Sequence, residues 1–331
     1  MYVQHREIVI GGGTASCAHR NLTVYYNEGK NLTYAAIAHR GQLNTVSWDP
    51  KIEGMANDQI LIKEPDGSSR QMAVIQAKYC WTKSKSTPLL VVCTNFGVGI
   101  YETNGSAVLC WKSLGTADEN FRFTRGITQT GTYILVGSHT GEVLVFDAQE
   151  NGVKLKTTLK EHSAPVVDTA SDLAGETVLT ASADGVIVIY DNKLATVQKI
   201  STGQPLNCVA VSRKFVFAAT VLGQLFVYSA KTGEIAGEIG AHARNITSID
   251  VANEARMIMT TSEDSFVRVW KFYTKTPENE DTFEIDCKWS QSVENAPLVG
   301  GIFSDLRGDG LMVTGFDFNT ITYFKQPKEK K

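Results

Sequence analysis

From residue 75 onward, apolar residues recur at strand spacing in short runs. VIQAKYCW, LLVVCT, VGIYE and AVLCWKSL form one group. FRFTRGITQ, YILVGS, EVLVFDA and KLKTTLK form the next, and PVVDTAS, TVLTASA, VIVIYDN and TVQKIS a third. LNCVAVS, FVFAATV, QLFVYSA and EIAGEIG follow, then ITSIDVAN, MIMTTSE, FVRVWKF and FEIDCKW. The runs are rich in Val, Ile, Tyr and Thr, and Gly, Asn, Asp or Ser separates most of them. No long helical pattern interrupts the series. The stretch 251–259 matches a helical turn but is too short to define one.

The groups repeat. His162, Thr180, Asp184 and Tyr190, moved forward by 80 positions, become His242, Thr260, Asp264 and Trp270. Eighty residues are two units of about forty, and forty residues in four strands is the period of a propeller blade. Gly141 and Phe146, Gly185 and Tyr190, and Gly223 and Tyr228 share one spacing. Six units are visible: 75–114, 121–161, 165–203, 206–240, 245–290 and 297–325. The last supplies only three strands, and a ring must hide its sheet edges. The N-terminal REIVIGG is therefore expected to complete it, with residues 7–11 lying beside 320–324. Residues 14–70 then form a degenerate seventh blade, or an eighth if they hold more than one unit.

ASADGVIVIYDN, SHTGEVLVFDA and TSEDSFVRVWK resemble the tight turn and third strand of WD40 repeats. His162 and His242 resemble the Gly-His signature, with Glu161 and Ala241 where Gly is usual. YETNGSAVLCW, TRGITQTGTYILVG, GEVLVFD, AHARNITSID, SEDSFVRVWK and MVTGFD extend the likeness over most of the chain, weakest between 48 and 70. The expectation is an all-β, seven-bladed WD40 β-propeller of four-stranded antiparallel blades, closed by the N-terminal strand. One domain is expected over 1–325, followed by a short basic tail, 326–331. The resemblance implies a non-enzymatic scaffold for protein or peptide partners, with no cofactor and possible membership of a larger complex. It also suggests ciliary or vesicle assemblies.

Composition narrows the alternatives. Thirty-two Lys and Arg stand against thirty-five Asp and Glu, without the basic excess usual in a nucleic-acid binder. A nucleic-acid-binding propeller, or an enzyme with its site on a propeller face, remains the alternative. The apolar runs are too short for a membrane-spanning helix, which needs about 20 residues. Three apolar residues after Arg6 and Glu7 are too few for a signal-peptide core. Four of the six scattered cysteines (Cys80, Cys93, Cys110, Cys208) fall in apolar strand-like runs, as buried thiols do in a reducing compartment. A cytoplasmic, non-spanning protein is expected.

His162, Thr180 and Asp184 contain the ingredients of a catalytic triad, but the set recurs at His242, Thr260 and Asp264. Repetition within repeated units points to architecture. WD40 repeats use the equivalent residues in a buried network that ends on Trp, as at Trp270. Tyr190 shortens the first copy. The calcium-like Asp305-Leu306-Arg307-Gly308-Asp309-Gly310 places a guanidinium at a ligand position and reads as a turn. Gly11-Gly12-Gly13 lacks dinucleotide-binding spacing. The sequons at Asn21, Asn31, Asn104 and Asn245 would need secretion to be used, two of them begin strand-like runs so that their asparagines read as turn residues, and His5, His19, His39 and His139 read as isolated. The polar stretches 82–88 and 274–281 read as loops, and the small basic patches at Thr82-Lys83-Ser84-Lys85 and in the PKEKK tail read as solvated. No catalytic, cofactor or metal residue is assigned.

Loops that join blades share one face with the turns between second and third strands. Two sets are therefore expected on a partner-binding face. Pro165, Gln204 and Arg244 follow the histidine or its equivalent. Thr94, His139, Ala183, Val221, Glu263 and Asp317 are placed before the turn aspartate. Arg244 leads, because Arg and aromatic side chains dominate binding hot spots, with Glu263 as its charged neighbour.

Overall fold

The computed structural model describes residues 1–14, 16–51, 54–65, 67, 72–115, 122–274 and 283–327. Seven four-stranded antiparallel sheets form a ring. Blade 1 runs from Thr23–Asn27 on the inside to Ala56–Leu61 on the outside. Blade 2 runs from Val74–Cys80 to Val108–Ser113, and blade 3 from Thr124–Thr130 to Gly152–Leu159. Blade 4 spans Val166–Ser171 to Thr196–Ser201, blade 5 Leu206–Ser212 to Ile235–Gly240, and blade 6 Ile246–Ala252 to Phe283–Ser292. The stretch 251–259 is strand, turn and strand, not helix. Of the expected loop 274–281, residues 275–281 lie outside the described residues, as does 328–331 of the tail.

Blade 7 takes three strands from the C-terminal end, Leu298–Phe303, Gly310–Gly315 and Thr320–Lys325. Its outer strand is Val3–Val9, paired antiparallel with Thr320–Lys325, with Glu7 opposite Thr322 and Ile8 opposite Ile321. Chain start and chain end thus share one sheet, which shuts the ring and removes a sheet edge.

The sequence pattern follows from this packing. Second strands are buried on both faces, so Leu89–Thr94, Phe215–Thr220 and Met257–Ser262 are buried at every position. Outer strands such as Thr196–Ser201 face water and carry Lys, Gln and Thr. An apolar cluster fills each gap between neighbouring blades. Ile8, Ile321 and Met312 of blade 7 meet Ile37 and Val46 of blade 1 in one of them. Val91, Ile100, Ile127 and Val136 join blades 2 and 3 in another.

Candidate interaction face and axial cluster

A bulge and a backbone hydrogen bond recur and position the polar residues. In blades 2 to 7 the inner strand bulges near its start, at Ile75, Gly126, Val167, Asn207, Thr247 and Val299. A bulge leaves one residue unpaired and re-aims its groups. Just before the bulge, a carbonyl accepts the NH of the turn between second and third strands. The pairs are Asn95 to Ala73, His139 to Phe123, Ala183 to Pro165, Val221 to Pro205, Glu263 to Asn245 and Phe316 to Pro297. Each blade-joining loop is thereby tied to a turn on the same face.

These bonds give the true register of the expected binding residues. His139, Ala183, Val221 and Glu263 are equivalent. Thr94 is not: it is fully buried one residue earlier, and its hydroxyl accepts from Phe96 N and Gly97 N and donates to Gly97 O. It has no surface to offer, and Asn95 takes the turn position. In blade 7 the equivalent is Phe316, and Asp317 occupies the aspartate position itself, with φ 62°. Pro165 matches Asn245, one residue beyond Arg244. The apolar runs alone do not reveal these one-residue offsets, because turns of different composition join similar strands.

Pro165 and Ala183 are bonded neighbours, as are Val221 and the residue after Gln204. Arg244 is exposed beside Asn245, whose Nδ2 donates to Glu263 Oε1 at 2.9 Å. Ala241 N and His242 N both donate to Gly223 O, which fixes the Val221–Leu222 turn against the loop carrying Arg244. Gly223 is required there: φ is 84°, and a Cβ would strike His242 O.

The repeated polar sets are held inside this framework. His242 Nδ1 lies 3.0 Å from Asp264 Oδ1, and Nε2 lies 2.8 Å from Thr260 Oγ1. Trp270 Nε1 donates to the same Thr260 oxygen at 2.9 Å. Asp264 also accepts from Ala243 N and Phe266 N. Burial opposes its charge, but these bonds and His242 hold its carboxyl far below the usual carboxylate range. Burial pushes the His242 pKa down, against the pull of Asp264. In the other copy, His162 Nε2 reaches Thr180 Oγ1 at 2.7 Å, while Asp184 turns to Ser163 and Val186 N. Both sets are spent on the fold, with the threonine hydroxyls fully buried.

The least expected feature lies on the ring axis. Arg20 N donates to Thr247 O and Asn21 N to Val299 O, the carbonyls of two bulge residues. His19 and Arg20 also meet Arg125 of blade 3, Asp168 of blade 4, and Asn207 and Val209 of blade 5. Residues touching the inner strands of five blades can lie only on the axis, so the link from the closing strand to blade 1 crosses the channel.

Arg20 Nε pairs with Asp168 at 2.9 Å, and Asp168 also accepts from Val209 N. Asn245 Nδ2 donates to His19 Nε2 at 3.1 Å, so His19 Nδ1 donates to Asn207 Oδ1 at 2.6 Å. Arg125 donates to that same oxygen at 2.9 Å. Burial, then the Arg125 charge, pushes the His19 pKa down to about 4. Lys78 donates to Ile127 O, and burial lowers its pKa. Asp250 accepts from Phe303 N, and burial raises its pKa.

His19 is therefore not isolated, and Asn245 is a relay from rim to axis. Asn21 likewise exchanges two hydrogen bonds with the backbone of Ala38. The signal for this cluster in the sequence is polar residues inside apolar inner strands: Lys78, Arg125, Asp168, Asn207 and Asp250. Asp305 makes an ordinary turn, its Oδ1 accepting from Arg307 N and Asp309 N. Among the described residues, no group of three or more His, Cys, Asp or Glu could hold a metal ion. None of their helices is long and apolar enough to cross a membrane.

Blade number, closure and the His-Thr-Trp-Asp set define a WD40-repeat β-propeller. Residues 1–326 match the WDR54 family model, and the chain belongs to that family. It is 30% identical to human WD repeat-containing protein 54, over 98% of this chain and 99% of that one. A more distant match is U3 small nucleolar RNA-associated protein 21 of Saccharomyces cerevisiae, 26% identical over 48% of this chain and 17% of that protein. A chain in the crystal structure of the mitotic checkpoint complex superposes with TM-score 0.74, covering 98% of this chain and 92% of that one at 16% identity. That likeness concerns the fold.

Proposed function

We propose that the chain is a non-enzymatic scaffold that docks a protein or peptide partner on the face formed by the blade-joining loops. The observation that carries this reading is a mixed patch on blades 5 and 6. Val221 and Leu222 are 40% and 63% exposed, and Gly223 O ties their turn to the loop that presents Arg244. Glu263 stands next to it, held by Asn245. Exposed apolar side chains beside an arginine make the kind of surface on which binding energy concentrates. The rigid ring beneath orders these groups before a partner arrives, which lowers the entropy cost of docking. A place in a ciliary or vesicle assembly follows from the family resemblance alone, and localisation of a tagged chain would read it.

The test compares captures from the native cytosol by the wild type, Leu222→Asp, Arg244→Glu with Glu263→Lys, and the outer-strand control Lys154→Glu. At least one protein retained by the wild type and control should fall about tenfold with the loop variants. Full retention by the folded loop variants overturns the reading.

A further inference from the structure

At the mouth of the axial channel lies a cavity of about 380 Å³. Arg40 and Arg125 line it, with Ser16, Cys17 and His19 of the crossing segment. Its remaining wall is apolar, formed by residues such as Val74 and Ile75. Among the described residues, no carboxylate lines it.

Arg125 donates to neutral groups, the side chain and carbonyl of Asn207, and its guanidinium lies 2.9 Å from the ring of the neutral His19. The nearby carboxylate Asp168 is already engaged by Arg20 and Val209 N. Glu263 is held one residue further out by Asn245. The second guanidinium, Arg40, is exposed on the turn between Leu32–His39 and Gln42–Trp48, and its own carbonyl is used by Val74 N. Two guanidiniums thus share a concave, partly dry site with no anion among the described residues. Such a site strengthens a charge-assisted bond relative to open water.

We propose that this cavity receives the carboxylate side chain of an acidic segment of the partner, with the carboxylate between Arg40 and Arg125 and the aliphatic stem against Val74 and Ile75. A glutamate has the right parts: an anionic head for a planar fork and a methylene stem for the apolar wall. The proposal rests on the loop-face reading, since the cavity opens beside the crossing segment on that face, and it adds the chemistry that the partner must present.

Cys17 lets the site be read without a known partner. It is exposed and lines the cavity, whereas Cys287, also exposed, lies on the outer strand of blade 6. In Cys287→Ser protein, Cys17 should react about tenfold faster with dianionic dithionitrobenzoate, relative to neutral dithiodipyridine, than Cys287 does in Cys17→Ser protein. Hexaglutamate should slow modification of Cys17 but not of Cys287, and hexalysine neither. Arg40→Glu should abolish both effects, while Arg40→Lys keeps most of the rate preference. Arg40 is exposed, so its variants are expected to fold, and circular dichroism checks this. The proposal is overturned if hexaglutamate leaves Cys17 unprotected, if both thiols respond alike, or if a phosphotyrosine peptide protects and hexaglutamate does not. Hexaglutamate protection that persists alongside a partner indifferent to Arg244→Glu would discard the loop-face patch and leave the acidic-residue site standing.

Discussion

His162 Nδ1 stands 3.9 Å from Asp184 Oδ1, whereas His242 and Asp264 meet at 3.0 Å through the same atoms. Two copies of one sequence motif have therefore separated in strength. The difference lies at both ends of each chain of bonds. Trp270 gives Thr260 a donor, while the Tyr190 side chain stands at that position in blade 4. Arg268 also braces Asp264 at 3.2 Å.

Removing the two aspartates should have unequal effects. Asp264→Ala leaves His242 Nδ1 without its carboxylate and releases two backbone donors, costing about 1–3 kcal/mol. Asp184→Ala removes the acceptor of Ser163 N and Val186 N on a more exposed loop and takes no hydrogen bond from His162 Nδ1, so it should cost under about 1 kcal/mol. Urea titrations of both variants check the order, and equal, negligible losses would remove the structural role assigned to these sets.

Ring closure predicts a large effect at the N-terminus. Ile8 and Ile10 are fully buried between blades 7 and 1, and Tyr2 donates to Gly308 O while its ring packs 5.2 Å from Trp289. Removing residues 1–12 exposes the edge of Thr320–Lys325 and loses at least roughly 5 kcal/mol of apolar burial. Ile8→Ala, a milder change, should cost about 2–4 kcal/mol. An unchanged melting temperature after truncation would show that the ring holds without this strand.

Repetition makes the ring legible in the amino-acid pattern. Second and third strands are buried on two faces and must be apolar, and turns must punctuate them, so the four-strand period survives sequence drift. The three-strand unit at 297–325 points to its own missing partner, because an unpaired edge is costly. What the pattern hides is set by single residues. A bulge turns Asn207 toward the axis with no mark in the apolar runs, and His19 meets Asn207 across 188 positions. Periodicity misplaces Thr94 and Asp317 for a similar reason: turn register depends on one backbone bond. Asn245 reads as a turn residue because its neighbours do, although its side chain spans rim and axis.

The buried imidazoles set the pH response. His19, His162 and His242 all have folded pKa values below the ordinary 6.5, chiefly through burial. Below about 6.5 the unfolded chain takes up protons that the folded one refuses, so stability must fall as pH falls. For His19, with a folded value about 4, the loss between these limits is roughly 3 kcal/mol. Asp264, also depressed, extends the decline to lower pH, whereas Asp250, raised by burial, offsets part of it. Urea midpoints measured from pH 7 to 4 should drop steadily, and His19→Gln should flatten that slope even if it lowers stability at pH 7. A variant slope as steep as the wild type's would mean that His19 is not held neutral on the axis by Arg125, Asn207 and Asn245.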